Sequence, residues 1–139
     1  MSLHTDSTII KAIKADSALM GAIGGRLYGT AIPLPEEDAD NVPTPFAIVT
    51  YDAMVNDSLT KDDLEGGTDT VTVSVQVAAS TLEALHTLTQ AVRDAVRGYV
   101  KGNDTDIVDY QLSARGIQYD DLRRCYWQTL TYQCETENE

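Results

Sequence analysis

The sequence predicts one α+β domain, in which a mostly antiparallel sheet of four to five strands carries two main helices on one face. Three observations predict this fold. The chain has 139 residues, which is the length of one ordinary domain. Valines alternate with Thr, Ser and Gln over residues 71–77, which is the period of a half-buried strand. Apolar residues recur every three or four positions over residues 82–99, which is the period of an amphipathic helix.

The first predicted element is helical. Apolar residues recur at helical spacing over residues 9–23, which predicts a helix or two short helices joined near Asp16. Asp6 or Ser7 is the expected N-cap, because a short polar side chain can accept a backbone N–H there. The pair at 24–25, Gly-Gly, predicts the end of the helical run, since glycine accepts positive φ.

Two acidic loops flank the next predicted strand. A short strand at 26–28 precedes residues 29–45, where all four prolines lie beside the acidic residues Glu36, Glu37, Asp38 and Asp40. A long surface loop is expected there, because proline removes a backbone donor. Residues 46–55 are rich in β-branched and aromatic side chains and predict a strand. The second acidic loop follows at 56–67, and its candidate contact residues are Asp57, Asp62, Asp63 and Glu65.

The second half of the chain is predicted as one long helix followed by two strands. Ser80 and Glu83 have the spacing of a capping box, which places the start of the helix there. Residues 107–119 and 124–134 predict two strands joined around Asp120. The full order is α-β-β-β-α-β-β. An antiparallel sheet with both helices on one face satisfies the rules for layers and connections.

Composition limits the function. The chain carries 22 Asp and Glu against 10 Lys and Arg, a formal net charge of −12. Binding to nucleic acid is disfavoured, because neutralising phosphates requires a basic surface. Two histidines and two cysteines leave few ways to build a zinc site or a Cys-His dyad, so we expect no enzyme, cofactor or metal site. There is no secretory signal and no run of 18 apolar residues, so no membrane partner is expected.

The last predicted strand places large side chains on both of its faces. Tyr126 and Tyr132 share one side and Trp127 lies on the other, because alternate residues of a strand face opposite ways. These rings either complete a core or contact a neighbouring subunit. Cys125 and Cys134 lie roughly 30 Å apart on opposite faces of the strand, so they are expected as buried thiols without a mutual disulfide.

One group of arginines stands out in this acidic chain. Arg93 and Arg97 are four residues apart on the long helix, and Arg123 and Arg124 precede the last strand. They pair either with acids of the same chain or with the acidic loops of a neighbouring subunit. The candidate subunit interface therefore comprises Asp57, Asp62, Asp63, Glu65, Arg93, Arg97, Arg123, Arg124, Tyr126 and Trp127.

Five segments follow one another in a characteristic order and spacing. They are DSAL at 16–19, IGGRLY at 23–28, PFAIVTY at 45–51, LTQAVRDAV at 88–96 and DDLRRCYWQ at 120–128. Together they span nearly the whole chain. The set resembles the phage and prophage tail terminator family of long non-contractile tails, also called tail completion or minor tail proteins. The acidic stretch at 35–42 departs from the usual pattern of that family.

The resemblance implies a structural role in virion assembly. Proteins of this family form a hexameric ring at the head-proximal end of the tail tube, stop tube polymerisation and present the surface that joins the filled head. The implied partners are further copies of the chain, the tail tube protein and a head-completion or connector protein. The implied location is the cytoplasm of the bacterial host during assembly, and then the virion tail. DNA would pass through the ring without specific binding, which suits an acidic inner wall.

Two other functions stay open at this point. One is a neck or connector protein that bridges head and tail, which the sequence hardly separates from a terminator. The other is a small α+β domain whose acidic loops bind a divalent metal or another ligand. Metal binding to the folded state would raise thermal stability in proportion to ligand.

Overall fold

The computed structural model describes residues 2–29, 45–56, 67–121 and 124–137. Within these ranges the chain forms a six-stranded sheet with a layer of helices on one face, which confirms the predicted α+β class. After a short 3-10 turn (Ser2–His4), the elements are α1 (Thr5–Lys14), α2 (Ser17–Ala22), β1 (Leu27–Gly29), β2 (Phe46–Asn56), β3 (Thr68–Ala79), α3 (Leu82–Gly102), β4 (Ile107–Ala114), β5 (Gln118–Asp120) and β6 (Cys125–Glu137).

The strands are arranged in the order β1-β2-β3-β6-β4, and β5 pairs with β6 as well. All pairs are antiparallel except β1 with β2, which is parallel. The two longest strands, β3 and β6, pair without interruption from Thr68 opposite Glu137 to Ala79 opposite Tyr126. This central pair therefore sets which side chains of the sheet share a face.

The core lies between the helices and one face of the central pair. On β3 the predicted alternation is realised, and the buried side chains are Val71, Val73, Val75 and Val77, each 0% exposed. They join one cluster with Leu130 and Tyr132 of β6 and with buried residues of all three helices. Fully burying one such side chain contributes roughly 1.5–3 kcal/mol. The helices therefore cover only the valine face of β3.

The amino-terminal helices form as predicted, with a break at Asp16. Asp16 caps α2, since its Oδ1 accepts the N–H of Leu19 at 3.1 Å. His4 rather than Asp6 or Ser7 occupies the N-cap position of α1. At the end of the run Gly24 has a φ of 62°. This left-handed backbone conformation favours glycine, because glycine has no Cβ.

The structure differs from the predicted elements at the last strands. The predicted strand at 107–119 is two strands, β4 and β5, so the sheet has six strands rather than four or five. Ala114 pairs with Leu130 and Gln118 pairs with Trp127. Between these two pairs, the segment that joins β4 to β5 has one residue more than the facing segment of β6. Such a bulge interrupts the hydrogen-bond ladder with β6, and no local periodicity in the sequence indicates it.

The start of α3 also differs from the prediction. Thr81, rather than Ser80, is the N-cap, and its Oγ1 accepts the N–H of Ala84 at 3.1 Å. The predicted capping box is therefore wrong by one residue. The helix itself runs from Leu82 to Gly102 and buries the predicted apolar stripe.

A polar clamp at Asp106 ties the first helix to the start of β4. Thr5 Oγ1 donates to Asp106 Oδ2 at 2.8 Å, and Thr8 Oγ1 donates to Asp106 Oδ1 at 2.6 Å. The Thr5 side chain is fully buried. Since a buried donor that loses its acceptor costs more than the bond itself gains, the clamp fixes α1 over the sheet.

We predict that Asp106→Ala destabilises the fold by about 2–3 kcal/mol, because two hydroxyl donors lose a charged acceptor. Urea unfolding followed by circular dichroism measures the change. Asp104→Ala is the matched control, since Asp104 is exposed two residues away. A stability of Asp106→Ala equal to that of the control would contradict the clamp.

One hydroxyl in the core has no hydrogen-bond partner in the described part of the chain, that of Tyr132. The ring lies edge-on to Tyr110, with 5.2 Å between centroids. Burial raises the pKa of Tyr132 strongly. The same cause raises the pKa of the Cys134 thiol, two residues along β6, to about 12. Both groups therefore resist ionisation inside the folded core.

The raised pKa values predict an alkaline loss of stability. When folding raises the pKa of a group, that group contributes its full share to the free energy of unfolding below the pKa it has in the unfolded chain. This contribution is lost as pH rises from the unfolded-state pKa through the folded-state pKa. Tyr132→Phe should remove the tyrosine share of the loss, which begins as pH rises above about 10, the ordinary pKa of tyrosine in the unfolded chain. It should also raise stability near neutral pH, by up to about 1 kcal/mol, because an unpaired buried hydroxyl disappears. The control is Tyr119→Phe, at a ring 50% exposed. Equal alkaline slopes in the two variants would contradict the assignment.

Candidate functional site

The sheet face opposite the helices is polar, and we call it the open face. It is formed by the alternate residues of β2, β3, β4 and β6 that lie away from the valine core. Its central members are Thr70, Thr72, Ser74, Gln76, Thr129, Thr131, Gln133, Gln111 and Ser113. All are half-buried or exposed. Hydroxyl and amide groups keep their hydrogen-bonding capacity at such a surface, so the open face suits a polar partner.

A groove of about 350 Å³ crosses one end of the open face. Its walls include Thr68, Thr70, Gln111 and Gln133, and two carboxylates complete it. Asp109 of β4 stands directly opposite Glu135 of β6 in the antiparallel register. Like charges in directly opposed positions destabilise a sheet. The groove therefore has a negative and electrostatically unfavourable end.

A small apolar cluster occupies the other end of the open face. Phe46, Ala78 and Cys125 are buried in it, and Trp127 packs against them. The cluster borders a cavity of about 150 Å³. Trp127 lies on the open face and is half-buried.

Tyr126 lies on the helix side of β6, so Tyr126 and Trp127 lie on opposite faces of the strand as predicted. Its ring meets that of Tyr119 edge-on, with 5.0 Å between centroids. Tyr126 also packs against the main core. Tyr126 and Trp127 therefore both contact residues of their own chain. Contact of either ring with a neighbouring subunit stays a prediction.

The predicted arginines occupy two places. Arg93 and Arg97 are exposed on the outer face of α3, and Lys101 continues the same stripe. Arg124 is exposed in the turn before β6, with a φ of 53°. Arg123 and the loop residues Asp57, Asp62, Asp63 and Glu65 lie outside the described residues, so their part in an interface stays a prediction.

Groups that could hold a metal ion were sought among the residues that the structure describes. In those ranges no three His, Cys, Asp or Glu side chains lie close enough together for a metal ion. Asp106, one of the acids near the α3–β4 connection, is engaged by Thr5 and Thr8. None of the described helices is long and apolar enough to cross a membrane.

The apolar cluster predicts a change in thiol reactivity. Cys125 and Cys134 are both buried and neither forms a disulfide, so neither should react with a thiol reagent such as DTNB in the folded protein. Trp127→Ala should expose Cys125 alone, giving one reactive thiol per chain. Trp127→Phe, which keeps a ring over the cluster, is the control and should stay protected. Reaction of both thiols, or of neither, in Trp127→Ala would contradict the packing described.

Comparison with solved structures relates this fold to a chain of a phage-like particle. A chain from the virion of a native gene transfer agent particle has a TM-score of 0.54 at 16% identity, over 96% of this chain and 94% of that chain. A structure from Akkermansia muciniphila matches with a TM-score of 0.25 at 9% identity, over 65% of this chain and 45% of that chain. The first likeness shows a shared fold, and the second is too weak to inform it.

Comparison by sequence gives the family. Among curated proteins, no sequence matches the chain. The sequence profile of the family described as tail completion protein gp17 matches residues 7–137. This span reaches from the first helix to the last strand of the fold. The chain therefore belongs to the tail completion protein gp17 family.

Proposed function

We propose that this protein is a structural subunit of phage tail assembly that caps the tail tube, terminates its polymerisation and forms the head-tail joining surface. It works as a hexameric ring with the tail tube protein on one side and a head-completion or connector protein on the other. The observation that carries the proposal is the family match over residues 7–137. The protein acts in the cytoplasm of the bacterial host during assembly and stays in the virion tail.

The particle-derived structure supports a place in a virion. A chain of a gene transfer agent virion shares the fold over nearly its whole length. Because both chains are covered almost completely, the likeness concerns the whole two-layer domain and not one motif. We propose no enzymatic step, cofactor or resident metal for this role, since capping and joining need complementary surfaces only.

The two layers support assembly into a ring. A closed ring of identical subunits uses heterologous contacts, which require two different complementary surfaces on each subunit. The open face and the outer face of α3 differ in chemistry, because the first is polar and acidic and the second carries Arg93 and Arg97. An acidic excess over the whole chain also suits passage of DNA without specific binding, since phosphates are repelled.

Tube growth in vitro tests the proposed function. Purified tail tube protein is polymerised with increasing amounts of this chain, and tube lengths are measured by negative-stain electron microscopy. We expect shorter tubes at sub-stoichiometric amounts of the chain, because one cap blocks one growing end. The control is Asp104→Ala, which should act like the unaltered chain because it leaves both faces intact. Tube lengths that do not respond at any ratio would contradict termination.

A neck or connector role is the alternative that the same experiment separates. A connector would bind filled heads and finished tube ends while leaving the growth of tubes unchanged. Binding to both particles is measured by co-sedimentation. Head binding without an effect on tube length would replace termination with bridging.

A further inference from the structure

Charge in this protein is segregated by layer. No strand from β1 to β6 contains a Lys or Arg in its described range, although the helices α1 and α3 do. The carboxylates placed on the open face are Asp52, Asp109, Asp120 and Glu135. The basic residues of the helix layer are Lys11, Lys14, Arg93, Arg97 and Lys101, all exposed. The strands therefore have carboxylates and no described base, whereas the helices have most of the described bases together with the acids Asp6, Glu83 and Asp94.

The basic stripe of α3 has no counter-charge within the described chain. Arg93, Arg97 and Lys101 follow one another at intervals of four residues and span about 12 Å of the helix. None of them forms an ion pair with a residue that the structure describes. Asp94, beside the stripe, accepts a hydrogen bond from Gln90 at 3.0 Å. Like charges four residues apart on a helix repel each other, so the stripe is unfavourable in an isolated copy.

The groove on the open face brings two negative charges together in the same way. Asp109 and Glu135 face each other across β4 and β6, and like charges in directly opposed positions destabilise a sheet. Asp109 Oδ1 accepts the N–H of Tyr110 at 2.8 Å, and in the described residues no cation pairs with either carboxylate. The groove is bordered by hydroxyl and amide side chains that can hydrogen-bond a guanidinium or an ammonium group.

We infer that the open face of one copy docks the outer face of α3 of a second copy, with Arg93 and Arg97 in the groove beside Asp109 and Glu135. The inference rests on the proposed function, because it names the contact that joins neighbours in the ring. The stripe lies in the helix layer and the groove lies on the other face of the sheet, and within the described residues no ion pair joins the two in one copy. The contact is heterologous and leaves one surface of each kind available for the next copy, which is the kind of contact that forms a ring when its rotation closes.

A second copy is the occupant that charge complementarity favours. Every chain has both the basic stripe of α3 and the acidic groove. When the stripe of one copy binds the groove of another, the repulsion between like charges decreases on both surfaces. Pairs of this kind steer association and lose strength with salt. Self-association of the chain is therefore expected at low ionic strength and should weaken as salt is added.

Complementary charge reversal tests the contact. The helix variant is Arg93→Glu with Arg97→Glu, and the sheet variant is Asp109→Lys with Glu135→Lys. Each variant alone presents two faces of the same sign, so its self-association should weaken by at least about tenfold. An equimolar mixture should recover association, because each variant then meets an opposite face on the other. Rings of the mixture alternate the two variants and so close with an even number of subunits. Sedimentation velocity and native mass spectrometry measure both effects.

Matched controls change the same charge elsewhere. Lys11→Glu with Lys14→Glu copies the helix variant on α1, and Glu83→Lys with Asp104→Lys copies the sheet variant away from the open face. Both controls should associate like the unaltered chain. Circular dichroism establishes that every variant is folded. A monomeric unaltered chain from micromolar to millimolar concentration at low salt would overturn the inference, as would a mixture that associates no better than its components.

The tube assay keeps this inference separate from the proposed function. If the unaltered chain shortens tubes and both charge-reversal variants shorten them equally, the docking contact is wrong while termination stands. If the chain self-associates through this contact and leaves tube length unchanged, termination is wrong while the docking contact stands. If the sheet variant assembles normally and gains DNA binding, the open face lines the DNA path and does not dock α3.

Discussion

The rest of the structure depends on one constraint, which is that only one face of the central strands is apolar. Four valines of β3 point into the core at 0% exposure, while the residues between them are Thr, Ser and Gln. One layer of helices is enough to cover such a sheet, since a second layer would desolvate hydroxyl and amide groups without apolar gain. The polar open face is thus a direct consequence of the strand period.

A domain built this way has two chemically different sides, and charge follows the same division. The net charge of −12 says little by itself about contacts, because it averages over the whole surface. Within the described residues the helices α1 and α3 have the exposed bases, and the strands contain none. The asymmetry therefore arises from placement, and it gives the chain two unlike surfaces, as the proposed head-to-tail assembly requires.

Local periodicity explains which features the sequence predicts and which it does not. The strand at 71–77, the long helix, the break at Asp16 and the opposite facing of Tyr126 and Trp127 all follow from spacing within a few residues. The split of β4 from β5 and the parallel pairing of β1 depend on register between distant segments. The candidate site is predictable to the same extent. The spacing of Arg93 and Arg97 places them on one face of α3, whereas Asp109 lies opposite Glu135 only because of the register between β4 and β6.

Segregation of charge also makes the proposed assembly compatible with the proposed passage of DNA. Isolated bases on a ring would attract phosphates and hinder a moving duplex. In the contact that we infer, Arg93 and Arg97 are occupied by carboxylates of the next copy and are no longer available to phosphate. The net charge of the accessible surface stays the same, since each buried base is matched by a buried carboxylate, while other carboxylates such as Asp52 and Asp120 are left outside the groove. One arrangement of charge would therefore hold neighbouring copies together and keep the channel repulsive to DNA.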